Sequence, residues 1–488
     1  MNGSARWPCD PVARWENVLC VCRGPLLGGL GWFLGCGCVA DLSGLADWGF
    51  SGLSSGLSSG LSSLRRVLAG MVGSRWFVSV CLIASLAVRV LWLCLFAPEP
   101  VSDFGWFYRR GLDLAGGRGY TVNGTPTAFW PVGYPGFLAL EFTILGPSLS
   151  VARVSNVFLY IGVLYLSYAL ARELFSSEIC GRVALGLLAF YPNHIAYSSL
   201  IATETLFLFL VLLGAAMFLK AIKAIKTVKA SGGKVWALLC GVVFGLAVLV
   251  KSYVILLPIA LVVPWLAAHR GWRGARSSLG VIALLYLALG ATILPWVLRN
   301  HAVFGGLVLS NNNGPNLLYG NNPYATGTYD PGFGGRLEPL LNYTKGEYER
   351  NLISRRVALD YILGHPLETV KLWPVKLFYL YNEDGEGFMW NRKGLPSETE
   401  RGDLFGFLIA VDQAYYLLML AGFIVSLTIL IYRRGESGLP VTPLLVIVYF
   451  TAASLLTIGH SRLHFPLVPW IAMYAAATIE THILPPNR

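Results

Sequence analysis

Asp103 lies in the stretch "APEPVSDFGWFYRRG" (97–111), a carboxylate among aromatic side chains just past an apolar run that ends near Phe96. Burying an acid in apolar surroundings is costly, so Asp103 either faces water or is placed to act on a reactant. Glu204 stands at the tip "ATET", Lys251 in "LVKSY", Arg299 in "PWVLRN", and His460 and Arg462 in "GHSRLHFP", each at the end of an apolar run. Cations hold a phosphate through charge-assisted hydrogen bonds, and a carboxylate can activate a hydroxyl as a general base. The set therefore suits one reactant that carries a phosphate and another that carries a hydroxyl. Each residue also has a plainer reading. Asp103 would be a solvated loop acid near Arg109 and Arg110, and Glu204 a favourable charge at a helix start. Lys251 would snorkel to an interface, and Arg462 would anchor the turn before an apolar segment. His301, His460 and His464 lack metal-ligand spacing.

What must position these residues follows from composition. Of 488 residues, 55% are hydrophobic and 13% charged, with a mean hydropathy of +0.60. Soluble domains carry about 25% charged residues, so the chain is expected to be an integral membrane protein. Its net charge of +11 comes from Lys and Arg between apolar runs, the pattern that sets membrane orientation. A basic face interleaved with aromatics, as nucleic-acid binding requires, is not present in the sequence. Of nine cysteines, Cys9, Cys20, Cys22, Cys36 and Cys38 fall in the first 40 residues and the others in or beside apolar runs. They lack partners at metal-ligand spacing, so neither a metal nor a cofactor is expected.

Residues 1–75 read as a low-complexity, disordered extension, with "SGLSSGLSSGLSS" at 51–63 and a natural start at Met71 in "MVGSRWFVSV". Spans of about 20 apolar residues are expected at 76–96, 151–172, 181–200, 205–222, 235–250, 254–268, 279–297, 404–431, 441–458 and 464–480. "GYPGFLALEFTILG" (133–146) is short and carries Glu141, so it is read as a lateral helix at the interface. With it left out of the count, the loops rich in Lys and Arg, including "KAIKAIKTVKASGGK" with its five lysines, all fall on one side. Asp103, Glu204, Lys251, Arg299, the segment 299–402 and His460–Arg462 fall on the other. "HPLETVKLWPVKLFYLYN" (365–382) reads as a second interfacial helix.

The stretch "SDFGWFYRRGLDLAGGRGYTVNGTPTAFWPVGYPGFLAL" resembles the first external loop of the GT-C glycosyltransferases, in particular their Rgt-like and protein O-mannosyltransferase-like branch. It shares an Asp after the first span, a Tyr five residues on, a Gly-Tyr, and a Pro-x-Gly-Tyr-Pro leading into a lateral helix. "FYPNHIAYSSLIATETLFLFL", "PWVLRNHAVFGGLVLSNNNGPNLLYGNNPYATGTY" and "GHSRLHFPLVPW" resemble later motifs of the family, in order; in the last, Leu463 stands where a Tyr is usual. The resemblance covers about 76–330 and 455–480, and nothing in 331–402 adds to it.

The resemblance implies an all-α polytopic membrane enzyme with a bundle of about ten transmembrane helices. Its catalytic core is 76–298 with the external loop 97–150, followed by the extracytoplasmic segment 299–402 and the C-terminal helices of 403–488. It implies transfer of a sugar, with inversion, from a polyprenyl-phosphate donor to a glycan, glycolipid or protein hydroxyl on the extracytoplasmic face of the membrane. Asp103 would be the general base and Glu204 would share the catalytic site. Tyr108, Tyr134, His460 and Asn321 would bind substrate. Some relatives place a Lys beside the lateral helix for the donor phosphate; "FWPVGYP" has none, which leaves Lys251, Arg462 and Arg299. Here Phe104 follows Asp103 where some relatives carry Asp-Glu, so no paired-acid metal site is expected. Desolvation by Phe104, Trp106 and Phe107 is expected to make Asp103 a stronger base. The rival class is a transporter or lipid flippase lined by Arg89, Lys251 and Asp412. Transporters often show internal repeats, and no matching halves are visible in the sequence.

Overall fold

The computed structural model describes residues 63, 65–226, 230–268, 272–330, 346–396, 402–432 and 440–483. The expected extension thus lies largely outside the described residues. Six helices are long and apolar enough to cross a membrane, at Phe77–Leu95, Leu149–Leu174, Thr203–Ala224, Gly232–Val250, Leu279–Phe304 and Gly402–Tyr432. The chain is a polytopic, all-α integral membrane protein, as its composition requires.

In chain order the helices are α1 (Phe77–Leu95), α2 (Ser102–Ala115), α3 (Gly133–Leu145), α4 (Leu149–Leu174), α5 (Glu178–Ala189) and α6 (Pro192–Ala196). Then come α7 (Thr203–Lys226), α8 (Ala230–Val250), α9 (Leu257–Ala268), α10 (Trp272–Phe304) and α11 (Asn313–Tyr319). The rest are α12 (Gly346–Gly364), α13 (Pro366–Lys371), α14 (Trp373–Tyr381), α15 (Glu386–Gly394), α16 (Gly402–Tyr432), α17 (Thr442–Leu456) and α18 (Val468–His482). A two-stranded hairpin, β1 (Thr121–Val122) and β2 (Thr125–Pro126), lies between α2 and α3. Asn123 and Gly124 at its tip both take positive φ, 50° and 81°, the turn that an Asn-Gly pair favours.

Four of the ten expected spans are shorter or broken. The run 181–200 divides into α5, α6 and a 3-10 turn at Tyr197–Ser199, because Pro192 restarts the helix and Asn193, His194, Ser198 and Ser199 are buried polar groups. The run 254–268 begins in a 3-10 turn, Ser252–Leu256, and 464–480 in another, Ser461–Leu467. Helices α17 and α18 have 15 residues each, about 22 Å at 1.5 Å per residue, which is short of a hydrocarbon core of about 30 Å. Irregular backbone at membrane depth is tolerated when protein encloses it. The first ten residues of α18, Val468–Ala477, are all buried.

Close helix approach is set by small residues. A Cβ on Gly241 would stand 2.2 Å from the Leu285 carbonyl, and one on Gly245 2.6 Å from Thr292, so α8 and α10 touch backbone to backbone as small residues allow. The lateral helix is present as α3, whose 13 residues are too few to cross. It buries Tyr134, Leu138 and Phe142 at four-residue spacing and exposes Leu140, Ile144 and Leu145.

Candidate active site

Each site charge sits where regular helix starts or breaks. Asp103 is in the first turn of α2 and Glu204 in the first turn of α7, just past the 3-10 turn Tyr197–Ser199. Lys251 separates α8 from the 3-10 turn Ser252–Leu256, and Arg462 lies inside the turn Ser461–Leu467. At such ends side chains leave the helix barrel and can converge.

They do converge. Arg462 Nε donates to Glu204 Oε1 at 2.6 Å and Lys251 Nζ to the same oxygen at 3.0 Å. Arg462 NH1 reaches Asp103 Oδ2 at 3.4 Å, and Thr203 Oγ1 donates to Glu204 Oε2 at 3.2 Å. The guanidinium lies over the Phe104 ring, 5.1 Å from its centroid. The cluster is layered by depth: the Glu204 side chain is 1% exposed, Lys251 17%, Arg462 18% and Asp103 36%. Burial lowers the Lys251 ammonium below its ordinary value, and Glu204 restores only part of the loss. Burial works against charge on Arg462, but Glu204, Tyr197 and Asp103 together overcome it and hold the guanidinium above its ordinary value.

His460 adjoins this group. Its Nδ1 accepts from the backbone N–H of Arg462 at 3.2 Å, and its Nε2 faces Glu386 Oε1 at 3.8 Å. Burial pushes the imidazole below its ordinary value, against the pull of Glu386. Tyr134 is buried at the start of α3. A Cβ on the preceding Gly133 would stand 2.5 Å from the Leu249 backbone, so the lateral helix begins directly against the end of α8 that carries Lys251. Tyr108 packs edge-on against Phe142 of α3.

Other expected residues are occupied elsewhere. Arg299 donates to the carbonyls of Thr127 at 2.8 Å and Tyr120 at 3.0 Å, pinning the flanks of the hairpin rather than joining Glu204. The Asn321 amide donates to the carbonyls of Leu317 at 2.8 Å and Leu456 at 2.7 Å, and its oxygen accepts from Lys376 at 3.4 Å; it ties α11 to α14 and α17. The aromatics after Asp103 do not cover its carboxylate. Phe104 packs on Trp390, Trp106 on Tyr120, and Phe107 on Tyr134 and Trp130. Helical geometry turns these rings inward, so the neighbour of Asp103 is Arg462 and not an apolar shield.

Arg89 and Asp412, the charges expected within spans, are both fully buried. Arg89 NH1 donates to the Ala189 carbonyl at 3.0 Å, and its guanidinium lies 3.9 Å from the Tyr160 ring centroid. Asp412 Oδ1 accepts from the Asn193 backbone N–H at 2.8 Å. They hold α1 to α5 and α16 to α6. Among the described residues no group of three or more His, Cys, Asp or Glu could hold a metal ion, and Asp103 and Glu204 both face Arg462. Sequence reasoning missed Glu386 and Trp390, which lie in a stretch without apolar periodicity; the signal available was an acid opening a short helix just after Gly385, whose φ is 114°.

Residues 142–304 match the family model described as dolichyl-phosphate-mannose-protein mannosyltransferase. The match includes Glu204, Lys251 and Arg299 and excludes Asp103 and Arg462. It bears out the resemblance to GT-C glycosyltransferases. Comparison with curated protein sequences gave no match. Among solved structures, the chain is similar to ArnT from Cupriavidus metallidurans bound to undecaprenyl phosphate, at 14% identity, covering 83% of this chain and 77% of that one with a TM-score of 0.42. The apo form of that protein gives 14%, 83%, 76% and 0.40 in the same order.

Proposed function

We propose that this protein transfers a sugar from a polyprenyl-phosphate donor to an acceptor hydroxyl on the extracytoplasmic face of the membrane. The observation that carries the reading is the convergence of Asp103, Glu204, Lys251 and Arg462 from four separate segments at one end of the bundle. The match of 142–304 to a family described by its dolichyl-phosphate-mannose donor supports a lipid-phosphate sugar.

In this reading the donor phosphate lies against Lys251 and Arg462, whose side chains are the partly open cations of the cluster. Glu204 beneath keeps both in place and charged. Asp103, the most open member, accepts the proton of the acceptor hydroxyl as its oxygen attacks the anomeric carbon. The bond from that carbon to the phosphate oxygen breaks on the opposite side, so configuration inverts. The departing phosphate monoester has a second pKa of about 6 and leaves without a proton donor. Phosphate arriving at Arg462 competes with Asp103 for the guanidinium, which leaves the carboxylate available to the acceptor.

The test is release of free polyprenyl phosphate from a panel of polyprenyl-phosphate sugars, with an acceptor mixture, by wild type and Asp103→Asn in lipid nanodiscs. Release by wild type and a loss of about a hundredfold or more in the variant, the scale of a lost general base, is the expected result. Equal release by both removes Asp103 from the centre of the reaction. Flux of the lipid or sugar without bond cleavage replaces the reading with a transporter.

A further inference from the structure

Helix α15 comes from the part of the chain that the family resemblance does not reach, yet it is built against the site on three sides. A Cβ on Gly387 would stand 2.7 Å from Asn193 Oδ1, and one on Gly394 2.5 Å from the Glu99 carbonyl. The Gly394 carbonyl accepts from the Glu99 N–H at 2.8 Å, just before α2. Asn391 donates to the Ala196 carbonyl at 2.9 Å and accepts from Ser199 Oγ at 2.7 Å. The helix is therefore locked to α6, to the turn before Glu204 and to the entry of the Asp103 helix.

Its first turn presents Glu386, whose side chain is 10% exposed. Glu386 Oε2 accepts from Trp390 Nε1 at 2.9 Å, and Oε1 accepts from Ser461 Oγ at 3.3 Å and faces His460 Nε2 at 3.8 Å. His460 Nδ1 in turn accepts from the Arg462 N–H. Trp390 packs edge-on against Phe104, the ring beneath the Arg462 guanidinium. The contacts close a circuit: Arg462, Phe104, Trp390, Glu386, His460 and back to Arg462.

We infer that Glu386 is a positioning residue for the donor-phosphate site: it fixes the His460 tautomer and the turn 460–462, and so aims Arg462. Nδ1 accepts an N–H only when it carries no proton, so the proton of the neutral ring must sit on Nε2, the nitrogen that faces Glu386. A carboxylate there favours that tautomer. Glu386 also anchors Ser461, so both residues ahead of Arg462 are held. The inference rests on the proposed function only for the name of the ligand; the circuit itself is a structural claim.

The experiment compares wild type, Glu386→Ala and Glu386→Gln in nanodiscs by binding of polyprenyl phosphate alone, by donor KM and kcat, and by ¹⁵N-histidine NMR with His460 assigned from a His460→Asn variant. Glu386→Ala should weaken polyprenyl-phosphate binding and raise donor KM by about tenfold, with kcat changed by less than about threefold. The His460 signals should leave the Nε2–H tautomer. Gln keeps an acceptor oxygen, so Glu386→Gln should recover most of the binding. Unchanged phosphate affinity and unchanged His460 signals in Glu386→Ala overturn the inference. Should Glu386→Ala not fold, Glu386→Met, which fills the space but offers no acceptor oxygen, takes its place: weaker phosphate binding with shifted His460 signals supports the inference, and wild-type signals and affinity overturn it. A wild type that binds no polyprenyl phosphate sinks the proposed function, while the NMR comparison still decides whether Glu386 sets His460.

Discussion

Buried charges in this protein are of two kinds, and residues Glu204 and Lys376 separate them. Glu204 is 1% exposed but meets two cations and a hydroxyl, so its oxygens are matched by donors. Lys376, fully buried on α14, meets only neutral acceptors among the described residues, the Leu455 carbonyl at 2.9 Å and Asn321 Oδ1 at 3.4 Å. Burial alone lowers its ammonium from 10.5 to about 8. A folded pKa below the unfolded one means that the unfolded chain binds more protons between the two values, so this group makes stability rise with pH from about 8 to about 10.5. Unfolding of wild type and Lys376→Met in mixed micelles at pH 7.5 and pH 10 reads the difference: wild type should gain on the variant as pH rises. Parallel pH dependence would show that Lys376 stays charged and solvated in the folded state as it is in the unfolded chain. Lys376 also shows where sequence reading ran short at this scale. Asp103, Glu204, Lys251 and Arg462 were legible because a charge at the end of an apolar run stands out. Asn321 and Arg299 look equally polar in sequence, and only the structure shows their hydrogen-bonding groups committed to backbone carbonyls. Reading 97–111 as a loop gives its aromatics no direction, whereas α2 is a helix that turns Phe104 and Phe107 into the core.

At the scale of elements, the site depends on how α3 meets α8. Gly133 is the first residue of α3 and stands against the backbone of Leu249 and Val250, the residues just before Lys251. Any Cβ there must push two backbones apart. Gly133→Ala should therefore destabilise the protein by about 1–3 kcal/mol, the ordinary range for overpacking, and weaken binding of polyprenyl phosphate through displacement of Lys251. Thermal unfolding together with a binding isotherm tests this, and a variant with wild-type values for both would mean that α3 shifts freely on α8. The lateral helix itself was visible in the sequence from its length and Glu141. The gaps at 251–253 and 459–463 were visible too, but not the break at 190–200 or the 3-10 turns that run into the next spans, because hydropathy counts apolar residues without recording whether Pro192 or Pro466 lets them form one continuous helix. Those breaks matter, since each lies beside a residue of the charge cluster.

At the scale of the whole molecule, α7 links two groups of charge among the described residues, one toward each of its ends. Helix α7 carries Glu204 in its first turn and Lys223 nineteen residues on, about 28 Å away at 1.5 Å per residue, close to the thickness of the hydrocarbon core. At the Lys223 end, Lys223 pairs with Glu173, Arg182 with Glu178 at 2.9 Å, and Arg182 donates to the carbonyls of Val72 at 2.7 Å and Ser74 at 3.0 Å before α1. Ser177 reaches Glu480 at the end of α18. At the other end lie Asp103, Lys251 and Arg462. The single-sided placement of basic loops, which selected the span count from sequence, thus agrees with contacts among residues hundreds of positions apart. Lys and Arg accumulate in cytoplasmic loops, so the proposed function expects the Lys223 end in the cytoplasm and the acid–cation cluster outside. Single cysteines at exposed positions Lys223 and Thr125, in a background with the nine native cysteines replaced, test this with a membrane-impermeant maleimide on oriented vesicles. Thr125→Cys should react from the outer face of right-side-out vesicles, and Lys223→Cys only after the membrane is opened. The reverse pattern would place the cluster in the cytoplasm, where a soluble sugar nucleotide could serve as donor. Labelling of both positions from one side would mean that α7 does not cross the membrane.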